Sequence, residues 1–282
     1  MSTLHTQSSS PPEPTPARNP ALRVVLLTSP GLFGAQIINR LSAADLQLVG
    51  VGLTDRIYRN KSKLAAIHTF RVRTGWRYLA YNALQSDIAW SLLQLTRRPG
   101  GLRRSGAKVR RLEDINAAAT RNWLRELQPD VIASFFFNQK IGPEVCAIAG
   151  RACINMHPSL LPELRGPDPI FRALQRGLTT TGLTLHEVSP EIDGGRILHQ
   201  ESREIPAGLS AFGLYSLLIR DGADLLARWL EDKVTPQPPE PSEPGAGDYT
   251  TFPTPQEVGK FVAGGGELIR LKEWRQALRE VE

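Results

Sequence analysis

Asn155 and His157 stand two residues apart in the stretch Asn155-Met156-His157-Pro158. Together they offer a neutral amide donor beside a ring that exchanges protons near neutral pH. The residues that lead into them, "ACINMH", read as a short apolar strand, on which positions two apart face the same side at a spacing of about 6–7 Å. In a parallel α/β sheet the carboxyl ends of the strands border the crevice that takes a ligand, so both polar side chains project into it. Taken alone the pair is ambiguous, since a single histidine is more often structural than catalytic and an asparagine beside it is often a cap. Either the segment is a stiff surface connection, or its prolines hold open a mouth beside reacting groups.

Pro158, Pro162, Pro167 and Pro169 follow. Each fixes its own φ and restrains the residue before it, so the chain leaves the strand as a rigid extended loop until a helix opens over "PIFRALQRG". At the tip of that loop Arg165 offers a guanidinium suited to a carboxylate or phosphate, and Gly166 allows a close backbone approach. Asp193 comes 36 positions after His157, in "EIDGGRIL". There Gly194 and Gly195 let the chain turn back toward the same edge of the sheet. His186 and His199 lie on the strands flanking that turn and are read as structural.

The elements that must carry these groups are legible from hydrophobic periodicity. "LRVVLLTS", a turn through Gly31 and Gly34, a helix with Phe33, Ile37, Ile38 and Leu41 on its apolar side, and "DLQLVGVGL" form a βαβ unit. Such a unit implies a parallel sheet covered by helices. Gly31 and Gly34 lack the full GxGxxG pattern and are explained by a tight turn, while exposed N–H groups at a helix start remain able to receive a phosphate or carboxylate. "AKVRRL", "INAAATRNWLRELQ", "DVIASFFF", "GPEVCAIAG" and "ACINMH" continue the rhythm. "TGLTLHEV" and "GRILHQESREI" add two strands, and "SAFGLYSLLIRDGADLLARWLED" adds an amphipathic helix. The expected fold class is α/β: a Rossmann-like, mostly parallel sheet with helices on both faces, a helical insertion at about 61–98 and a short C-terminal extension. The expected organisation is a disordered leader (1–20), a catalytic domain (21–235), a Pro-rich linker (236–247) and the extension (248–282). The insertion, with Trp76, Tyr78, Tyr81 and Trp90 among arginines, is read first as a lid over the sheet, then as an oligomer contact, then as an interfacial membrane helix.

At 282 residues and 41% hydrophobic, the chain can bury one good core. Its apolar runs are far short of the roughly 18 residues a bilayer span needs. The Ser- and Pro-rich start carries no secretory pattern, and Cys146 and Cys153 sit in apolar settings that suit buried thiols, so a cytoplasmic protein without a cysteine-based metal site is expected. The net charge of +6 is concentrated in the basic run at 97–111. That run reads as a solvated loop, because an RNA contact there would lack aromatic or glycine-rich context.

The run "INMHPSLLPELRGPDPIFRAL…GLTTTGLTLHEVSPEIDGGRIL" resembles the signature of the formyltransferases that use 10-formyltetrahydrofolate, with Asn-x-His, "SLLP", "RG", "TG-T-H" and "D-GG-IL" in order. The resemblance is strong over 129–205 and loose from 22 to 129. It implies a catalytic trio of Asn155, His157 and Asp193. In formyl transfer to an amine the amide suits the developing oxyanion, the imidazole moves a proton, and the carboxylate orients and charges the ring. The resemblance also implies 10-formyltetrahydrofolate as formyl donor and no metal. It further implies a pteridine slot built by Phe137, Asn138, Gln139 and Ile141 with Ile192 and Asp193, while residue type places Arg165, Gly166, Gly31 and Gly34 on the acceptor side. The poor phosphate loop and the short tail lessen purine and initiator-tRNA roles in favour of a small amine or amino sugar. A methionyl-tRNA formyltransferase-like role and hydrolysis of the formyl-folate stand as alternatives, with a non-catalytic binding module ranked last.

Overall fold

The computed structural model describes residues 21–54, 62–85, 105–232 and 247–280. The leader, nearly all of the Pro-rich linker, residues 86–98 of the insertion and the first half of the basic run lie outside them. A seven-stranded sheet runs through the chain in the order β3-β2-β1-β4-β5-β6-β7. Its strands are β1 (Arg23–Thr28), β2 (Gln47–Leu53), β3 (Lys108–Arg111), β4 (Val131–Phe135), β5 (Ala152–His157), β6 (Thr180–Glu187) and β7 (Ile197–Glu204). The first five strands are parallel, β6 runs antiparallel to β5, and β7 at the edge runs antiparallel to β6. This is the expected α/β sheet.

Strands buried on both faces need apolar residues at successive positions, and "RVVLLT" supplies them. Along β1 the alternation divides the core in two. Val24 and Leu26 face the layer of α1 (Leu32–Ser42) and α7 (Ala211–Glu231). Val25 and Leu27 face the layer of α4 (Ala118–Leu127) and α5 (Pro143–Cys146). Gly34 permits the close packing of α1 on the turn before it, because a Cβ there would meet the Ser29 carbonyl oxygen at 1.9 Å.

The insertion contributes α2 (Lys63–Thr74) and α3 (Trp76–Gln85), and the C-terminal extension contributes α8 (Pro255–Ala263) and α9 (Leu271–Arg279). These two peripheral parts meet. Phe252 from the extension packs edge-on against Phe70 of α2, with centroids 5.2 Å apart, and lies 6.4 Å from Tyr78 of α3. Phe261 of α8 packs on Phe171 of α6 (Pro169–Gln175) at 5.1 Å. Such ring pairs favour edge-to-face geometry because the electron-rich face of one meets the positive rim of the other. Trp76, by contrast, is 68% exposed. No helix among the described residues is long and apolar enough to cross a membrane.

Candidate active site

Three polar side chains form a row across the C-terminal edge of the sheet. Ser134 on β4 is in register with Asn155 on β5, and Asn155 with His186 on β6. The Ser134 hydroxyl donates to Asn155 Oδ1 at 2.8 Å, and Asn155 Nδ2 contacts His186 Nε2 at 3.0 Å. His186 Nδ1 lies 2.8 Å from the Glu187 carbonyl oxygen. A carbonyl can only accept, so Nδ1 carries the ring proton and Nε2 offers a lone pair to the amide. Burial holds this imidazole neutral, lowering its pKa to about 4 against the opposing pull of Asp193. The row thus fixes which way the Asn155 amide points and leaves its second N–H unspent. Ser134→Ala removes one end of this fixing, and kcat for the site's reaction is expected to fall roughly tenfold, the order of one neutral hydrogen bond. Steady-state kinetics with ligand affinity measured alongside would check it; an unchanged kcat would show that the amide needs no such support.

His157, on the same face of β5, is only 5% exposed. Its Nε2 meets the Leu164 carbonyl oxygen at 3.1 Å, which places a proton on Nε2 and turns Nδ1 toward Asp193 Oδ2, 3.6 Å away. That separation is ion-pair range rather than a hydrogen bond. The ring is therefore oriented by the proline-rich loop, and the carboxylate is placed to stabilise the ring once Nδ1 gains a proton. Asp193 sits in the left-handed region (φ 51°), with its Oδ1 3.7 Å from His186 Nε2. The Gly166 N–H donates to its Oδ2 at 2.9 Å. Gly195 makes the turn possible, since a Cβ there would meet the Glu187 carbonyl oxygen at 1.8 Å.

Asn155, His157 and Asp193 line one cavity of about 460 Å³. Phe137, Asn138, Gln139, Ile141, Ile192 and Gly166 line it as well. The Gln139 amide is committed elsewhere, donating to Thr54 Oγ1 at 2.8 Å and accepting from the Ile115 N–H at 2.8 Å, so it braces the wall. Three residues assigned to the acceptor from residue type fall outside the lining. Arg165 points away and donates to the Ile192 carbonyl at 3.0 and 2.7 Å, locking the loop to the Asp193 turn. Gly31 and Gly34 lie behind Ser29 and Pro30, where Phe33 stacks on Tyr215 at 5.2 Å and meets Phe136 at 5.6 Å, filling the space before the helix start. Sequence reasoning missed Ser134, whose role depends on strand register, and also Asp168, Tyr215, Tyr249 and Phe252 of the lining, to which Tyr78 of the helical insertion also contributes. Among the described residues no group of three or more His, Cys, Asp or Glu side chains is arranged to hold a metal ion.

Asp168 is the other buried carboxyl of the cavity. It caps α6 by accepting the Phe171 N–H at 3.0 Å and takes a hydrogen bond from the Tyr78 hydroxyl. Burial raises its pKa to about 7, opposed by the Phe171 N–H and the charge of Arg172; Tyr78 of α3 and Tyr215 of α7 are the other titratable groups beside it. A carboxyl with a raised folded-state pKa keeps its proton where the unfolded chain has lost it, so stability falls as pH rises from about 4 through about 7. His186 acts in the opposite sense, adding stability as pH rises from about 4 toward its ordinary 6.5. The difference between Asp168→Asn and wild type isolates the first slope. The variant is expected to gain on wild type from about pH 4 to about pH 7, by up to about 4 kcal/mol, and to level off above. Urea unfolding across that range measures it, and a pH-independent difference would contradict the assignment.

A family model described as formyl transferase matches residues 82–228. The methionyl-tRNA formyltransferase of Moorella thermoacetica is 35% identical over 127 residues, which are 45% of this chain and 41% of that protein. The methionyl-tRNA formyltransferase of Halothermothrix orenii is 36% identical over 127 residues, 45% of this chain and 40% of that protein. The match therefore spans about two fifths of the length of these relatives. Among solved structures, a glycinamide ribonucleotide transformylase from Symbiobacterium toebii shares the fold with a TM-score of 0.54 and 15% identity, covering 78% of this chain and 90% of that one. A sugar N-formyltransferase from a Shewanella species shares it with a TM-score of 0.54 and 18% identity, covering 92% of this chain and 87% of that one.

Proposed function

The chain belongs to the formyl transferase family, and we propose that it moves a formyl group from 10-formyltetrahydrofolate to the primary amine of a small molecule such as an amino sugar. The observation that carries this reading is the convergence of Asn155, His157 and Asp193 on one cavity, with the amide and the ring each oriented by a second group. The donor fits the wall present. Phe137, Ile141, Val188 and Ile192 offer apolar surface for a flat heterocycle, and the backbone of 137–141 and 188–193 offers amide groups to its polar rim. When bound, the folate supplies an activated formyl carbon.

The protein's own groups then divide the work. The unspent N–H of Asn155 donates to the negative charge that grows on the formyl oxygen as the amine adds. His157 would accept on Nδ1 the proton the amine loses as its bond to the formyl carbon forms, its charged ring held between the Leu164 carbonyl and the Asp193 carboxylate, and would return that proton to the folate nitrogen as the nitrogen–formyl bond breaks and tetrahydrofolate leaves. His186, kept neutral, holds the amide without competing for that proton.

The test is to incubate the purified protein with 10-formyltetrahydrofolate, with and without amino sugars, amino acids and aminoacyl-tRNA, and to follow release of tetrahydrofolate. Amine-dependent release is expected. Release independent of any amine would favour hydrolysis, and failure to bind the folate would overturn the reading.

A further inference from the structure

Part of the cavity wall comes from elements outside the catalytic loops: Tyr78 and Gln85 of α3, Asp168 at the start of α6, Tyr215 of α7, and Tyr249 and Phe252 of the C-terminal extension. Within it Asp168 is 7% exposed. Its carboxylate accepts from Phe171 N–H and from the Tyr78 hydroxyl. A carboxylate has about four acceptor positions, so two remain. Arg172, the cation nearest in sequence, spends its guanidinium on Glu257 at 2.6 Å, Gln175 at 2.7 Å and the Thr251 carbonyl at 2.8 Å. Arg172 acts on Asp168 through space without a direct side-chain contact, and burial still makes the charged carboxylate costly, so the group either keeps its proton or takes up a cation. Its pKa of about 7 describes that state.

Two further observations limit what the cation belongs to. Among the described residues Lys140 is the one lysine or arginine that lines the cavity, and residues 31–34 at the start of α1 are buried, with Phe33 packed against Tyr215 and Phe136. A phosphate would find neither a guanidinium cluster nor an open helix N-terminus there. Gln85, 3% exposed, lines the same cavity, and its amide faces the buried Tyr81 hydroxyl.

We propose that Asp168 binds the ammonium group of the acceptor, and that the acceptor is a small primary amine without phosphate, its body lying among Tyr78, Tyr215 and Phe252. The word acceptor rests on the formyl-transfer reading; the ammonium site does not. Asp168 lies two residues beyond Gly166, whose N–H holds Asp193, so their Cα atoms are at most about 7 Å apart and a short amine seated there reaches the trio.

Asp168→Asn is the deciding variant. Asparagine tolerates the left-handed φ of 56° and still caps the helix, so the fold is kept. Calorimetry at a pH above the carboxyl's titration, with glucosamine, phenethylammonium and glucosamine 6-phosphate as probes at high millimolar concentration, reads the site without any formyl donor. The phosphate-free amines are expected to bind wild type, and to bind Asp168→Asn about 30-fold more weakly, while affinity for 5-formyltetrahydrofolate is unchanged. Tighter binding of the 6-phosphate, equal binding by the variant, or no binding by any probe would overturn the proposal. Asp168-dependent amine binding without formyl transfer would leave this site standing and remove the transferase reading. Transfer by Asp168→Asn at an unaltered KM for the amine would do the reverse.

Discussion

Asn155→Ala is expected to lower kcat for formyl transfer by about 10²–10³-fold, the loss typical of removing one donor aimed at an oxyanion. The folate should still bind, because the apolar wall of Phe137, Ile141, Val188 and Ile192 is untouched. The fold should survive as well. Ser134 keeps an acceptor in the Ile154 carbonyl at 3.2 Å, and His186 keeps the Glu187 carbonyl on Nδ1. Asn155→Asp is expected to be as slow as Asn155→Ala despite its near-identical shape. It would set a carboxylate where charge develops and face the lone pair of His186 Nε2 with an acceptor instead of a donor. Single-turnover formyl transfer, with folate affinity measured in parallel, separates the chemical step from binding. A rate within a few-fold of wild type for both variants would take Asn155 out of the chemistry.

The strand ends, and the two side chains that leave β5 on one face, were legible because a two-residue period needs no knowledge of neighbours. Asp193 was legible because Gly194 and Gly195 announce a turn. What holds these groups was not legible. The Ser134–Asn155–His186 row depends on the register of three strands, one of them antiparallel, and His186 read from its own strand is a buried polar residue with no stated task. The grip on His157 is a backbone carbonyl, that of Leu164, which carries no residue-type signal at all. Arg165 misled for the opposite reason. A guanidinium at a loop tip suggests an anion, yet the nearest strong acceptor was the Ile192 carbonyl across the cleft. Nothing local to Asp168 in "GPDP" foretold its pairing with Tyr78, 90 positions earlier.

The C-terminal extension is built into the domain by its contacts. The Asp248 carboxylate accepts the Leu164 N–H at 2.9 Å and pairs with Arg176, while the Asp248 carbonyl accepts the Arg165 N–H at 3.1 Å and the Thr250 N–H donates back to Arg165 at 2.8 Å. Gly166 has to be glycine beneath this strap, since its φ is 97° and a Cβ would meet the Thr250 carbonyl oxygen at 2.3 Å. The segment so clamped presents the Leu164 carbonyl to His157 and the Gly166 N–H to Asp193. Removing residues 247–282 therefore removes the support of two side chains of the proposed trio. It also uncovers the surfaces under Val258, Ala277, Phe252, Phe261, Ile269 and Trp274, and leaves Arg172, 8% exposed, without Glu257. Full burial of a large apolar side chain contributes about 1.5–3 kcal/mol, so even partial burial of this set rivals the roughly 5–15 kcal/mol that holds a domain folded. The truncated chain is expected to melt far below the full chain or not to fold, with no measurable transfer. Asp248→Ala keeps the apolar contacts and cuts the side-chain grip on Leu164. It should cost about 1–3 kcal/mol of stability, for the N–H left unpaired, and should lower kcat more than it raises KM. Thermal unfolding and kinetics on both proteins decide the matter, because a truncated chain that melts and turns over like the full one would show that the strap supports neither the core nor His157.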